Sequence, residues 1–148
     1  MQINGIAHVQ LSVSDLSRSR EFYKKLFAFF ELAVIFDDPT TFYGVGGKTG
    51  IVITRADPAC AGEGFNQRRV GLHHLCFRLR SREDVDTLHA FLVEMGARIV
   101  HEPEDGPWAE GYYSVLFEDP DGIRLEGNYV PGKGNLDPNV KLPLRVPS

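Results

Sequence analysis

The chain has 148 residues, of which 43% are hydrophobic and 24% are charged, and its formal net charge is −4 at pH 7. This length can bury one core, and the acidic balance gives no electrostatic reason to expect a nucleic acid or an anionic membrane surface as partner. No apolar run approaches the roughly 20 residues of a membrane-spanning helix, and the start MQINGIAHVQ lacks the pattern of a signal peptide. We therefore expect one domain, residues 1–148, that stays in the cytoplasm and keeps its two cysteines reduced.

The first half of the chain, residues 3–55, is predicted to form a β-α-β-β-β module. Residues 3–13 alternate polar and apolar side chains as a strand does, and His8 lies on the more polar face. Ser14 and Asp15 offer capping oxygens for a helix whose apolar residues recur at helical spacing. The three later strands of this module are predicted at residues 31–37, 42–45 and 50–55.

The second half repeats this order. Residues 56–70 mix Pro, Gly and charge without periodicity and are predicted to be a linker. Module two, residues 71–130, opens with the strand GLHHLCFRLR and continues with a helix that Ser81 caps and Gly96 ends. The later strands of this module are predicted at residues 97–101, 112–117 and 123–130.

Three segments of the second half are predicted to be irregular. Residues 102–110 form an acidic loop that contains Pro and Gly. The stretch Asp119-Pro120-Asp121-Gly122 has the composition of a tight turn, and we assign these residues to turn formation only. The tail, residues 131–148, is too rich in Pro, Gly and Asn for regular structure and is expected to wrap the surface or fray.

Histidines stand at equivalent positions of the two halves. Both modules open with the pattern Gly-x-x-His, and His74 follows His8 at an offset of 74 − 8 = 66 residues. Strand parity groups each histidine with polar neighbours and does the same for Glu126 in the last strand. A single histidine in a strand is more often structural, but two at equivalent positions with a late glutamate favour metal ligands. His73 is predicted to point away from His74 and is assigned a structural or surface role.

The repeat, the helix stretch EFYKKLF and the late hairpin DPDGIRLE together resemble the vicinal oxygen chelate superfamily. That superfamily includes glyoxalase I, methylmalonyl-CoA epimerase, the extradiol dioxygenases, the fosfomycin-resistance thiol transferases and the bleomycin-binding proteins. The resemblance covers about residues 3–130 and implies an α+β fold in which two β-α-β-β-β modules form a cupped, partly closed mixed sheet. One departure is Ala28, where the superfamily usually has a glycine that ends the helix. A positive φ at an alanine would cost about 1 kcal/mol.

The resemblance also implies a metal centre. Carried over position by position, its ligands are His8, His74 and Glu126, and the fourth ligand position falls at about Ile53, which cannot coordinate a metal. Two histidines and one carboxylate match the facial triad that leaves coordination positions open on a divalent ion. The implied cofactor is therefore a divalent metal ion, with Fe, Mn, Zn and Ni left open.

Two further residues are candidates for direct action on a substrate. Tyr112 shares strand parity with Ser114, so its hydroxyl could donate a hydrogen bond to a bound oxyanion, although a packed aromatic is the equal alternative. Arg124, like Arg78, could bind a carboxylate or phosphonate, although a solvated arginine at a strand end is the commoner case. We predict Tyr112 and Arg124 as catalytic residues.

These residues indicate a metal-dependent enzyme that acts on a small molecule with two neighbouring oxygens. Ring-cleaving oxygenation and a lyase or thiol-transferase reaction are open alternatives. A metal-free protein that sequesters a drug, as the bleomycin-resistance members do, is the second hypothesis, and a glyoxalase or epimerase is the third. A homodimer is the expected assembly.

Overall fold

The computed structural model describes residues 1–139, which form two compact units. The first unit contains residues 1–65 together with the turn residues 120–122, and the second contains the remainder. Each unit has one α-helix and one four-stranded mixed sheet, so the α+β class with two β-α-β-β-β modules is confirmed. Both sheets are open, because the first and last strand of each pair on one side only.

In the first unit the sheet order is β1-β4-β3-β2. β1 runs parallel to β4, and the other two pairings are antiparallel. The elements are β1 (Val9–Val13), α1 (Leu16–Phe29), β2 (Ala33–Asp37), β3 (Thr41–Gly46) and β4 (Thr49–Arg55).

The second unit repeats this topology with the order β5-β8-β7-β6. β5 is parallel to β8, and the remaining pairings are antiparallel. The elements are β5 (Leu75–Arg78), α2 (Arg82–Glu94), β6 (Arg98–Asp105), β7 (Tyr113–Glu118), β8 (Arg124–Tyr129) and a 3-10 helix (Gly134–Leu136).

Each helix covers one face of its own sheet. In the first unit the Phe27 ring of α1 stacks on Phe42 of β3 with centroids 5.3 Å apart, and a side chain at Gly44 would strike it. In the second unit a side chain at Gly127 of β8 would strike Leu88 of α2. Burial of these apolar faces is the main stabilising contribution to both units. The opposite face of each sheet is therefore free to carry polar residues.

Three strand boundaries differ from the prediction by more than two residues. β1 begins at Val9 and β5 begins at Leu75, so the preceding glycine-histidine segments lie outside both strands. β6 continues to Asp105 through the segment predicted as a loop. Two register shifts along β6 accommodate this continuation, and Pro103 is tolerated there because β6 is an edge strand. Of the tail, residues 140–148 lie outside the described part of the chain.

The two helices end with the same hydrogen-bond pattern. In α1 the amide of Leu32 donates to Phe27 and the left-handed residue is Glu31, with φ 56°. In α2 the amide of Ala97 donates to Leu92 and the left-handed residue is Gly96, with φ 73°. Ala28 lies within α1, so the positive φ expected there occurs three residues later.

Asp121 does more than form a turn. Its carboxylate accepts hydrogen bonds from the backbone amide and the hydroxyl of Ser14, and it pairs with Arg18 at 3.0 Å. The turn residues 120–122 are thereby held against the start of α1 within the first unit. The interpretation of Asp121 as turn chemistry only was wrong, because sequence periodicity carries no information about a contact 107 residues away.

Among the described residues, no helix is long and apolar enough to cross a membrane.

Candidate metal centre

The two equivalent histidines stand at the entrance of equivalent strands. His8 immediately precedes β1 and His74 immediately precedes β5, and each of these strands pairs in parallel with the last strand of its unit. His8 is exposed, and its ring meets Tyr43 edge to face with centroids 6.5 Å apart. His74 is half-buried.

Glu126 lies in the middle of β8, on the face that α2 does not cover. It is 7% exposed, and its Oε2 lies 3.0 Å from Nε2 of His74. The hydroxyl of Tyr112, itself buried, donates a hydrogen bond to the other carboxylate oxygen, Oε1. The second unit therefore brings together three of the five residues predicted as a site.

The Glu126 carboxyl is held in its ionised form. Burial raises its pKa, but hydrogen bonds from His74, Tyr112 and Ser114 together outweigh burial, so the pKa lies below the ordinary value of 4.5. A buried carboxylate with this set of donors is an anionic ligand at neutral pH.

His73 orients His74, a contact that strand parity did not predict. The Nδ1 atoms of the two rings lie 2.8 Å apart, so one donates and the other accepts. His73 and His74 both precede β5, where the alternation of strand side chains does not apply. The prediction that His73 points away from His74 was therefore wrong. Because Nδ1 of His74 is engaged by His73, Nε2 is the atom directed at Glu126.

Burial and hydrogen bonding also shift the neighbours of Glu126. Burial, followed by the hydrogen bond to Glu126, raises the pKa of Tyr112, so this phenol stays protonated and remains a donor. Cys76 is opposite Glu126 in the β5–β8 register. Burial of its sulphur and then the Glu126 charge raise the pKa of the Cys76 thiol. Other atoms of Cys76 remain exposed to solvent.

Arg124 forms ion pairs within the sheet. It lies opposite Glu118 in the β7–β8 register, and its Nε is 3.5 Å from Glu118 Oε1. The same carboxylate pairs with Arg98 at 3.1 Å. This arrangement gives Arg124 a structural partner, and its predicted role toward a substrate stays a prediction.

The strand register moves the fourth ligand position by one residue. Gln10 is opposite Val52 in the β1–β4 pairing, as Cys76 is opposite Glu126 in the β5–β8 pairing. Val52 is therefore the equivalent of Glu126, and it is half-buried on the open face. Ile53 is fully buried on the helix-facing side. The placement at about Ile53 was wrong by one residue, but valine also has no ligand atom, so the first unit lacks this ligand.

The donor set of the second unit fits part of a metal centre. Two ligand atoms bound at about 2.1 Å and at right angles to one ion lie about 3 Å apart. The 3.0 Å separation of His74 Nε2 and Glu126 Oε2 matches that spacing. Within the second unit, no third His, Cys, Asp or Glu among the described residues joins this pair in a geometry suited to a metal.

Comparisons with known proteins agree with one another. Residues 5–126 match the family model described as the Glyoxalase/Bleomycin resistance protein/Dioxygenase superfamily. The uncharacterised protein YqjT of Bacillus subtilis (strain 168) is 31% identical over 80% of this chain and 94% of its own length. The metallothiol transferase FosB of Shouchella clausii (strain KSM-K16) is 28% identical over 84% of this chain and 79% of its own.

A solved structure shows the same architecture. The crystal structure of a candidate glyoxalase from Bacillus halodurans superimposes with a TM-score of 0.75 and is 29% identical, covering 86% of this chain and 96% of that one. The fold described above is thus shared along nearly the whole of that protein.

Proposed function

Because the chain belongs to the Glyoxalase/Bleomycin resistance protein/Dioxygenase superfamily, we propose that it is a divalent-metal-dependent enzyme. Its substrate is a small molecule that chelates the metal through two neighbouring oxygens. The observation that carries the proposal is the pair formed by His74 and the ionised, buried Glu126, 3.0 Å apart. His8, at the equivalent strand entrance of the first unit, is proposed as the third ligand.

The chain's own residues supply the support for this chemistry. His73 fixes the ring of His74 through Nδ1, and Tyr112 donates to the carboxylate oxygen that does not face His74. A divalent ion held there would act as a Lewis acid toward the two substrate oxygens. The Tyr112 phenol keeps its proton and donates it to Glu126, so its role in this proposal is to hold the carboxylate in place, and its action on a substrate oxyanion stays a prediction.

The reaction class is open among three chemistries: ring-cleaving oxygenation, a lyase reaction and thiol transfer. The similarity to a metallothiol transferase supports thiol transfer among these. Three protein ligands leave open positions on the ion for a substrate in each case.

Elemental analysis tests the proposal directly. The full chain, purified without chelator, should hold about one Fe, Mn, Zn or Ni per chain. His74→Ala and Glu126→Gln should each lose that metal, whereas His89→Ala, a half-buried histidine of α2, should keep it. Undiminished metal in His74→Ala would overturn the ligand assignment. Loss in His8→Ala would support the third ligand.

A metal-free drug-sequestering protein is the second candidate, because Val52 stands where a fourth ligand would be. Equilibrium dialysis of metal-stripped protein with a glycopeptide drug separates the two. Tight binding without metal supports sequestration. Absence of drug binding, together with stoichiometric metal, supports the enzyme.

We also propose a homodimer. The edge strand β2 exposes three apolar side chains, each about half accessible to solvent, and unprotected edges of this kind favour pairing with another chain. The three residues are Val34, Ile35 and Phe36. Light scattering should give twice the chain mass for the native protein and the monomer mass for Ile35→Lys.

A further inference from the structure

A cavity of about 420 Å³ lies at the carboxyl ends of β5 and β8 in the second unit. It is open on one side to solvent, and it does not include any of the residues proposed as metal ligands. Its lining residues are Arg78, Leu79, Arg80, Tyr129, Val130 and Gly132.

The wall of this cavity is fixed by the backbone. Gly132 and Gly134 both adopt left-handed φ angles, of 61° and 52°, which fold the segment after β8 back on itself. A side chain at Gly134 would strike Val130, so the close approach of the two residues requires glycine at this position. Arg78 donates a hydrogen bond from Nη2 to the carbonyl of Gly132. This hydrogen bond holds the Arg78 guanidinium at the cavity. Its other N–H groups can donate hydrogen bonds to a ligand.

The cavity is positively charged without an internal counter-ion. Among residues 1–139, neither Arg78 nor Arg80 forms an ion pair with a carboxylate, whereas other arginines of the same unit do. The nearby acid is Asp84, whose carboxylate accepts from the backbone amide of Arg80 and not from its guanidinium. The paired arginines of this unit are Arg82, Arg98 and Arg124.

We propose that this cavity is an anion-binding site for the carboxylate or phosphate group of a small molecule. Arg78 and Arg80 supply planar guanidinium donors that match such oxyanions, and both belong to the lining of the cavity. The site lies four residues along the chain from His74, about 13 Å in extended backbone, and needs no metal ion. It therefore goes beyond the proposed function and can fail or hold independently of it.

Inorganic phosphate and succinate are the probes, titrated by calorimetry into the full chain with chelator present and ionic strength held constant. Arg80→Gln is the main variant because no described hydrogen bond of its guanidinium supports the fold. We expect at least a tenfold weaker affinity in Arg80→Gln for whichever probe binds. Arg98→Gln, with the same charge change at an exposed position of β6, should leave the affinity within twofold. The probe that binds more tightly identifies the anionic group of the natural ligand as a phosphate or a carboxylate.

Two results with the native chain and the arginine variants would overturn the site. One is that the native chain binds neither probe at concentrations up to about 10 mM, which is on the order of the weakest useful affinity. The other is equal weakening in Arg80→Gln and Arg98→Gln, which would mean diffuse electrostatics. His74→Ala should bind the probe as the native chain does, and weakening there would show that the anion sits at the metal centre instead. Arg78→Gln should also weaken binding, with circular dichroism checking that loss of its bond to Gly132 leaves the fold intact.

Discussion

The two units share one topology and one register but differ on the sheet face that the helix leaves open. In the second unit this face buries a linked polar group in which Tyr112 and His74 contact Glu126. In the first unit the equivalent of Glu126 is Val52. The helix-facing sides are alike, since both are apolar and fully buried at their centres.

The difference shows which face of a duplicated module is free to change. A residue under the helix must be apolar, because an unpaired polar group there costs free energy that the module cannot recover. A residue on the open face carries no such restriction. The ligand-type carboxylate is therefore present in one module and absent from the other without any change in fold.

The largest expected effect comes from placing a glutamate on either side of β4. Ile53→Glu buries an unpaired carboxylate under α1 and should lower the free energy of unfolding by about 4 kcal/mol or more. Val52→Glu places the same group on the open face, where the loss should be about 1 kcal/mol. Urea denaturation followed by circular dichroism measures both.

The β1–β4 register leads to a further prediction about these variants. If Val52 is the equivalent of Glu126, the carboxylate of Val52→Glu should lie on the open face of β4, and the variant should keep its fold. Equal destabilisation by the two substitutions would contradict the assigned faces of β4.

A smaller effect tests the polar group that only the second unit has. Tyr112→Phe removes a hydrogen bond to a buried carboxylate and should cost about 2 kcal/mol at pH 7. The pKa of Glu126 is depressed, so its ionised form stabilises the fold above about pH 4.5 and that stabilisation is lost as pH falls through the folded-state pKa. The cost of Tyr112→Phe should therefore shrink in acid.

The adjacent tyrosine is the control. Tyr113 donates from its hydroxyl to Asp86 at 2.7 Å, but this bond lies at the surface. Tyr113→Phe should have a much smaller effect on the midpoint of urea denaturation, because water replaces the lost donor. Similar decreases in the midpoint for both variants would mean that burial of the Glu126 carboxylate does not determine how strongly its hydrogen bonds stabilise the fold.

The sequence predicted the order of elements, because hydrophobic periodicity and repeated patterns are local. It named His74 and Glu126 as candidate ligands, and their side chains lie 3.0 Å apart, while their role as metal ligands stays a prediction. It misjudged His73, since strand parity was applied to residues that precede the strand. It missed the contact of Asp121 with Ser14 and the one-residue shift from Ile53 to Val52, because long-range contacts and register depend on pairing that no single segment encodes.

The last prediction compares the helix ends, where the two modules differ by one residue type in the same hydrogen-bond pattern. Glu31 pays a conformational cost at φ 56° that Gly96, at φ 73°, does not. Glu31→Gly should therefore raise the free energy of unfolding by about 1 kcal/mol, and Gly96→Ala should lower it by about 1 kcal/mol. A side chain built at Gly96 meets no atom within 4 Å, so the loss there would come from the backbone alone. Glu31→Ala, which keeps Cβ, is the control and should not reproduce the gain of Glu31→Gly. If both variants at position 31 raise the free energy of unfolding, the effect comes from removal of the carboxylate. The two helix ends would then not be equivalent in their backbone cost.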